Sequence, residues 1–327
     1  MRFLLLPEKI TKLKAKINAS SSQKQLLSTF TGLFLLGLTF SLRSPYFFSV
    51  NNLLTVATQT AVIAIIAIGQ TYVLITGGID LAIGSNMALA GMLTALCMRA
   101  NIPVPAAILV GLITGAASGA ASGALIAYAK IPPFIATLGL MTICRGIALT
   151  VTGAIPVSNL PKSFTAWGTD STLGIPNAVI SMILLTVFFG FILAKTKLGR
   201  HIYATGSNYE AARLSGVNTK RTLMTVYIFS GILAAMAGLI MAARIISAQP
   251  TAGDGYELDA VASSVIGGTS TMGGEGAVAG TFIGAFIIGV LRNGLNLIGV
   301  SPFIQKIVIG VVIVTSVFLD KVQRKGD

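Results

Sequence analysis

Four ionisable residues interrupt long apolar stretches of this chain: Asp80, Arg145, Glu275 and Arg292. In a hydrocarbon setting such groups are costly, and they turn toward a protein interior, a wet cavity or each other. A proton or ion relay built on them would need a string of coupled carboxylates. Asp80 stands nearly alone, and Glu275 falls in a predicted surface turn, so a relay is disfavoured. Uncharged polar groups are better placed to line a path: Gln70, Asn86, Thr137, Asn293, Asn296 and Gln305. Hydrogen bonds from such side chains suit a neutral hydroxylated solute that must also be released. The chain has no Gly-x-x-x-x-Gly-Lys-Ser/Thr phosphate loop and not even a Gly-Lys pair, so ATP hydrolysis by this chain alone is not expected. The single histidine, His201, lies on a polar tract. Cys97 and Cys144 sit in apolar runs as small hydrophobes, and no metal-ligand cluster or catalytic constellation stands out.

The elements that must position these residues are set by composition. The chain has 327 residues, 54% of them hydrophobic and 10% charged, with mean hydropathy +0.84. Soluble domains carry about a quarter charged residues, so this is an integral membrane protein. A net charge of +13 could suggest nucleic acid, but its distribution excludes that reading. Arg2, Lys9, Lys12, Lys14, Lys16 and Lys24 precede the first apolar run. Lys195, Lys197, Arg200, Arg213, Lys220 and Arg221 share one tract, and Lys321, Arg324 and Lys325 close the chain. Flanking charge of this kind sets orientation and faces an anionic inner leaflet. Leu4–Leu6, broken by Pro7, is too short for a signal-peptide core.

A crossing helix needs about 20 apolar residues. That rule predicts spans near 26–43, 52–75, 80–98, 103–129, 133–153, 174–194, 222–243, 258–272, 276–297 and 303–319. The expected fold is all-α, about ten transmembrane helices with broken or re-entrant pieces. It divides into a basic segment 1–25, a membrane domain 26–320 and a tail 321–327. An even count puts both termini and the 195–221 tract on one face, with 16 of the 23 Lys and Arg residues once Lys130 is added.

Two spans look broken. Thr76–Asn86 carries Gly77, Gly78 and Gly84, and the eighth segment is short and runs into Gly267, Gly268, Gly273, Gly274 and Gly276. The first break, with Ala88-x-Ala90-Gly91 after it, lines up with the second and Ala277-x-Ala279-Gly280 at one residue of slip. Paired interrupted segments are the best sequence pointer to a transport site between repeats, and irregular backbone at that depth requires protein or a wet cavity around it. The glycines at 115–123 instead predict close helix packing.

The 195–221 tract contains Ser207-Asn208-Tyr209-Glu210-Ala211-Ala212-Arg213-Leu214-Ser215-Gly216. Ser-x-x-Glu is a capping-box pattern and Gly216 a left-handed stop. The string predicts a short self-capped helix presenting Ala, Arg and Leu side chains. A helix of about two turns is marginal alone, so the tract is a candidate handle for a partner protein.

Ala248–Ala260, Ile266-Gly267-Gly268-Thr269-Ser270, Asn293-Gly294-Leu295-Asn296, Gly77–Leu81 and Ile131–Phe134 together resemble the membrane permeases of bacterial ABC importers for ribose and related monosaccharides. The likeness runs from about residue 26 to the C-terminus. It departs at Ala82-Ile83, where a Ser-Val pair is common, and at Glu275, where Lys is frequent. The resemblance implies an inner-membrane subunit, non-enzymatic and without a cofactor of its own, with ATP bound by a partner. It implies two cytoplasmic ATPase subunits, a second permease chain as a homodimer, a periplasmic sugar-binding protein and surrounding lipid. Ser207, Glu210, Ala211, Ala212, Arg213, Leu214 and Gly216 become the expected ATPase-coupling segment. Gln70, Asp80, Asn86, Thr137, Asn293 and Asn296 become the expected pathway residues. Branched-chain amino-acid permeases share the broad architecture, and a gradient-driven facilitator is the expectation of a different class.

Overall fold

Hydrophobic side chains make helices of bilayer length over most of the chain, and the computed structural model describes residues 26–325. The basic segment expected at 1–25 lies outside the described residues. The helices in order are α1 (Leu26–Arg43), α2 (Val50–Ile75), α3 (Ile83–Arg99), α4 (Val104–Ala127), α5 (Pro133–Thr150), α6 (Lys162–Thr169), α7 (Asn177–Lys195), α8 (Lys197–Ser207), α9 (Tyr209–Leu214), α10 (Thr219–Ile245), α11 (Tyr256–Ile266), α12 (Val278–Leu297) and α13 (Pro302–Lys325). Among the described residues seven are long and apolar enough to cross a membrane: α1, α2, α4, α5, α7, α10 and α12. Each of the ten predicted spans meets a helix, but α3 has 17 residues, α11 only 11, and the apolar part of α13 ends at Thr315. At 1.5 Å per residue α11 is about 16 Å long, roughly half a hydrocarbon core. The eighth predicted span is thus a half-helix followed by irregular backbone.

Helices α2, α10 and α12 are mostly buried and form the centre, while α1, α4, α5 and α7 are less buried and lie around it. Helix α10 runs antiparallel to α2: Gly69 lies on Ser230, and the Arg244 guanidinium reaches back to the Thr58 carbonyl. Small residues allow the closest approaches. A Cβ at Gly115 of α4 would strike the Gly231 carbonyl of α10, and one at Gly231 would strike the Gly115 carbonyl. The glycines at 115–123 therefore serve packing, as their spacing predicts, because backbone-to-backbone contact replaces the missing hydrophobic drive between helices in lipid.

Four elements had no sequence signal that singled them out. Helix α8 begins with Thr196, whose hydroxyl accepts from the Gly199 N–H. Helix α6 packs Gly168 against the backbone of Ala243 and Arg244 at the far end of α10. At that same end a two-residue ribbon pairs β1 (Val157–Ser158) with β4 (Ser247–Ala248), and the hairpin of β2 (Ser171–Thr172) and β3 (Ile175–Pro176) lies between α6 and α7. Strands this short are invisible to a period-two pattern.

Candidate functional site

The two glycine-rich breaks meet each other. After α2 the chain stays irregular until Ile83, and after α11 it stays irregular until Val278. The Gly274 N–H donates to the Ile75 carbonyl at 2.8 Å, 199 residues away in sequence. Helix α8 closes over this junction. Its Gly206 sits so near the Ile75 carbonyl that a Cβ would collide with it, and Ser207 lies against Gly274. The Tyr203 hydroxyl donates to the Gly276 carbonyl at 2.6 Å. Burial pushes the Tyr203 phenol up to about 12, so it stays a donor throughout the physiological range.

Helix α9 projects from this junction. Its N-cap is Asn208, whose side chain accepts from the Ala211 N–H at 2.9 Å. The capping-box reading placed that role on Ser207; Ser207 instead ends α8, and the chain turns extended one residue later. Glu210 does not reach back to the cap but pairs with Arg213 at 2.8 Å, one turn on. Ala212 is buried, so of the presented residues Ala211, Arg213 and Leu214 face outward, with Leu214 78% exposed. Gly216 terminates the segment at φ +84°, a left-handed conformation that disfavours a Cβ.

Three of the expected pathway residues gather around the first break. Asp80 accepts from the Ala82 N–H at 2.9 Å and from the Ser230 hydroxyl of α10 at 2.7 Å, so it fixes the turn that leads into α3 and ties it to α10. Asn86 donates to the Gly231 carbonyl at 3.3 Å. Thr137 of α5 donates to the Ile79 carbonyl within the break at 3.1 Å. Irregular backbone at this depth must be satisfied by protein groups, and Asp80 and Thr137 do so, while Asn86 ties α3 to α10. Gln70 is fully buried with neither amide atom paired.

Asn293 and Asn296 lie elsewhere. Asn293 exchanges two amide hydrogen bonds with Asn52 of α2, at 2.9 and 3.1 Å. Asn296 accepts from Gln305 at 2.7 Å. Arg145 donates to the Pro250 and Ala252 carbonyls at 2.7 and 2.9 Å, holding the segment that leads into α11. The sequence reading passed over Asp259, which is buried in the first turn of α11 and paired with Arg292 at 2.5 Å. A carboxylate inside an 11-residue apolar helix was the available signal.

Replacing Asp80 by Leu is expected to orphan the Ala82 N–H and the Ser230 hydroxyl, each costing about 1–3 kcal/mol when buried. Asp80→Asn keeps an acceptor. Membrane-inserted protein should fall several-fold in the Leu variant and little in the Asn variant, measured by quantitative immunoblotting of washed membranes. Equal amounts would show that the break does not depend on this carboxylate.

Residues 52–317 match the family model described as the branched-chain amino acid transport system permease component. The chain is 45% identical to the ribose import permease protein of Bacillus subtilis (strain 168) over 299 residues, covering 91% of this chain and 93% of the relative. The chain belongs to this permease family. The ribose import permease protein of Haemophilus influenzae is 44% identical, covering 89% and 92%. The D-allose transport system permease protein of Escherichia coli K12 is 38% identical, covering 87% and 88%. No solved structure matches the permease. It is a multi-pass membrane protein and a transporter component rather than an enzyme, and its family implies an ATPase and a periplasmic binding protein as partners.

Proposed function

We propose that this permease is the membrane subunit of an ATP-driven importer that moves a monosaccharide, ribose or a related sugar, across the bacterial inner membrane. In this reading α8 and α9 face the cytoplasm, and α9 docks on a separate ATPase through Ala211, Arg213 and Leu214, with Glu210 and Gly216 fixing its shape. The chain binds no ATP itself. About ten crossings, counting the short α3, α11 and α13, leave the basic segment 1–25 and the tail on the same face as α9. A second permease chain completes the pathway as a homodimer, lipid surrounds it, and a periplasmic sugar-binding protein delivers the solute.

The observation that carries the reading is the junction of α8 with both breaks. A push on α9 is transmitted through Gly206, Ser207 and Tyr203 to Ile75, Gly274 and Gly276, the ends of the two interrupted spans. A coupling segment joined to the broken helices can convert an ATPase movement into a change of exposure. Asp80, Asn86 and Thr137 would then hold one wall of the pathway in register, with Gln70, Asn293 and Asn296 as further polar positions along it. The named relatives carry ribose and allose, and a neutral sugar needs no fixed countercharge. An amino acid would need two, and the buried carboxylates of this chain are engaged by Ser230 and Arg292.

The test is extraction of the tagged chain from its native membrane in mild detergent. A stoichiometric ATPase should accompany it, and Glu210→Lys, which reverses the charge beside Arg213, should lower that recovery at least tenfold. A homo-oligomer with no ATPase, even after crosslinking, would replace this reading with a gradient-driven facilitator.

A further inference from the structure

The central helices leave apolar and polar side chains exposed in about equal number, the polar ones mostly at helix ends. An open, shallow groove of about 310 Å³ lies between the first turns of α2 and the last turn of α10, lined by Leu54, Thr55, Thr58, Gln59 and Arg244. Positions 55, 58 and 59 share one helical face, being three and four residues apart. Facing hydrocarbon, an arginine and an amide there would be costly, so this face is wet. The groove stands at the end of α10 remote from α8 and α9, and α6 packs on the backbone of Ala243 and Arg244, which fixes the arginine's origin.

Its hydrogen-bonding capacity is specific. The Thr55 hydroxyl donates to the Asn51 carbonyl at 2.8 Å and the Thr58 hydroxyl to the Leu54 carbonyl at 2.7 Å. Their protons are thus used, and each offers only oxygen lone pairs to the groove. Arg244 spends one N–H on the Thr58 carbonyl at 3.3 Å and keeps further donors. No hydrogen bond engages the Gln59 amide among the described residues, so it offers a donor and an acceptor. The set is mixed: acceptors at three side chains, donors at two. An anion such as a lipid phosphate would use the arginine and leave the threonine oxygens facing its own negative oxygens. A neutral polyol uses all of them, because each sugar hydroxyl both donates and accepts.

We propose that this groove is a receiving site for a neutral sugar at the outer end of the permease, with Thr55, Thr58, Gln59 and Arg244 as its hydrogen-bonding groups. The proposal rests on the sugar-import reading above and adds where the solute first meets the chain.

The test uses the full importer in cells, with uptake of labelled D-ribose, D-allose and D-xylose measured against concentration. Thr58→Val keeps the branched shape and removes the hydroxyl, and Thr58→Ser restores it. Thr58→Val combined with Gln59→Leu should raise the half-saturating concentration at least tenfold, with the permease level and ATPase recovery unchanged. Thr58→Ser should behave as the parent. Parent-like uptake by the double variant overturns the groove alone, as does equal loss in Thr58→Val and Thr58→Ser, which would mean packing. So does an anionic lipid that co-purifies with the parent and is lost in Arg244→Gln without a change in uptake. Failure of the parent importer to take up any of the three sugars overturns both the groove and the functional reading.

Discussion

Gly206→Val is expected to abolish transport and to lower the melting midpoint of the detergent-extracted protein by several degrees. A side chain at 206 would enter the Ile75 carbonyl and crowd the Gly274 nitrogen hydrogen-bonded to it. Both obstacles are backbone, and backbone pinned by its own hydrogen bond cannot turn aside as a flexible side chain would. Overpacking a well-filled site typically costs about 1–3 kcal/mol, and here it would also part α8 from the two breaks. Gly216→Val is the informative contrast. Nothing lies within 4 Å of Gly216, so its cost is the left-handed backbone itself, about 1–2 kcal/mol, borne by α9 alone. The bundle should melt as the parent does while ATPase recovery falls. If Gly206→Val transports normally, the junction is not the route from α9 to the broken spans.

Arg292→Met is expected to destabilise the protein more than Asp259→Leu, although the two changes remove the same ion pair. Asp259 is 1% exposed and Arg292 31%. Losing the arginine strands a carboxylate in the interior; losing the carboxylate leaves a guanidinium that can swing outward and still lie over the Tyr256 ring. Removing one partner of a buried pair costs about 3–5 kcal/mol, whereas replacing both by apolar groups is often neutral. The double variant should therefore recover most of the stability lost in Arg292→Met. The readout is the melting midpoint across the four proteins of a double-mutant cycle. Additive losses would mean that the pair contributes no coupling and that α11 is held by packing alone.

Helix α9 shows how far local sequence reaches. Its existence, its stop at Gly216 and its outward Leu214 follow from residue types within ten positions of one another. The cap does not, because Ser207 and Asn208 are both good caps and adjacent. The choice depends on α8 running through Ser207, and α8 is held there by Tyr203 and Gly206 against residues 68 and more positions distant. Helix α6 and the β1–β4 ribbon were illegible for the same reason, since Val157 and Ala248 pair only because α10 brings Ala248 to that end.

The residues expected to line a pathway divide in the same way. Asp80, Asn86 and Thr137 announced themselves as polar groups in apolar runs, but nothing local says that all three serve one break. Asp259 drew no attention, because a carboxylate beside Glu257 and Tyr256 looks like the edge of a loop until the chain around it is buried.

By itself the sequence determined the membrane setting, the places where the long apolar helices form and the two where they break. Hydropathy, glycine content and capping act over a few residues and need no partner. Only the tertiary structure decided that Ile75 meets Gly274, that α8 closes over them and that Arg292 finds Asp259. Those contacts join residues 33 to 199 positions apart. Their free energy comes from satisfying buried polar groups against one another, which no window along the chain contains.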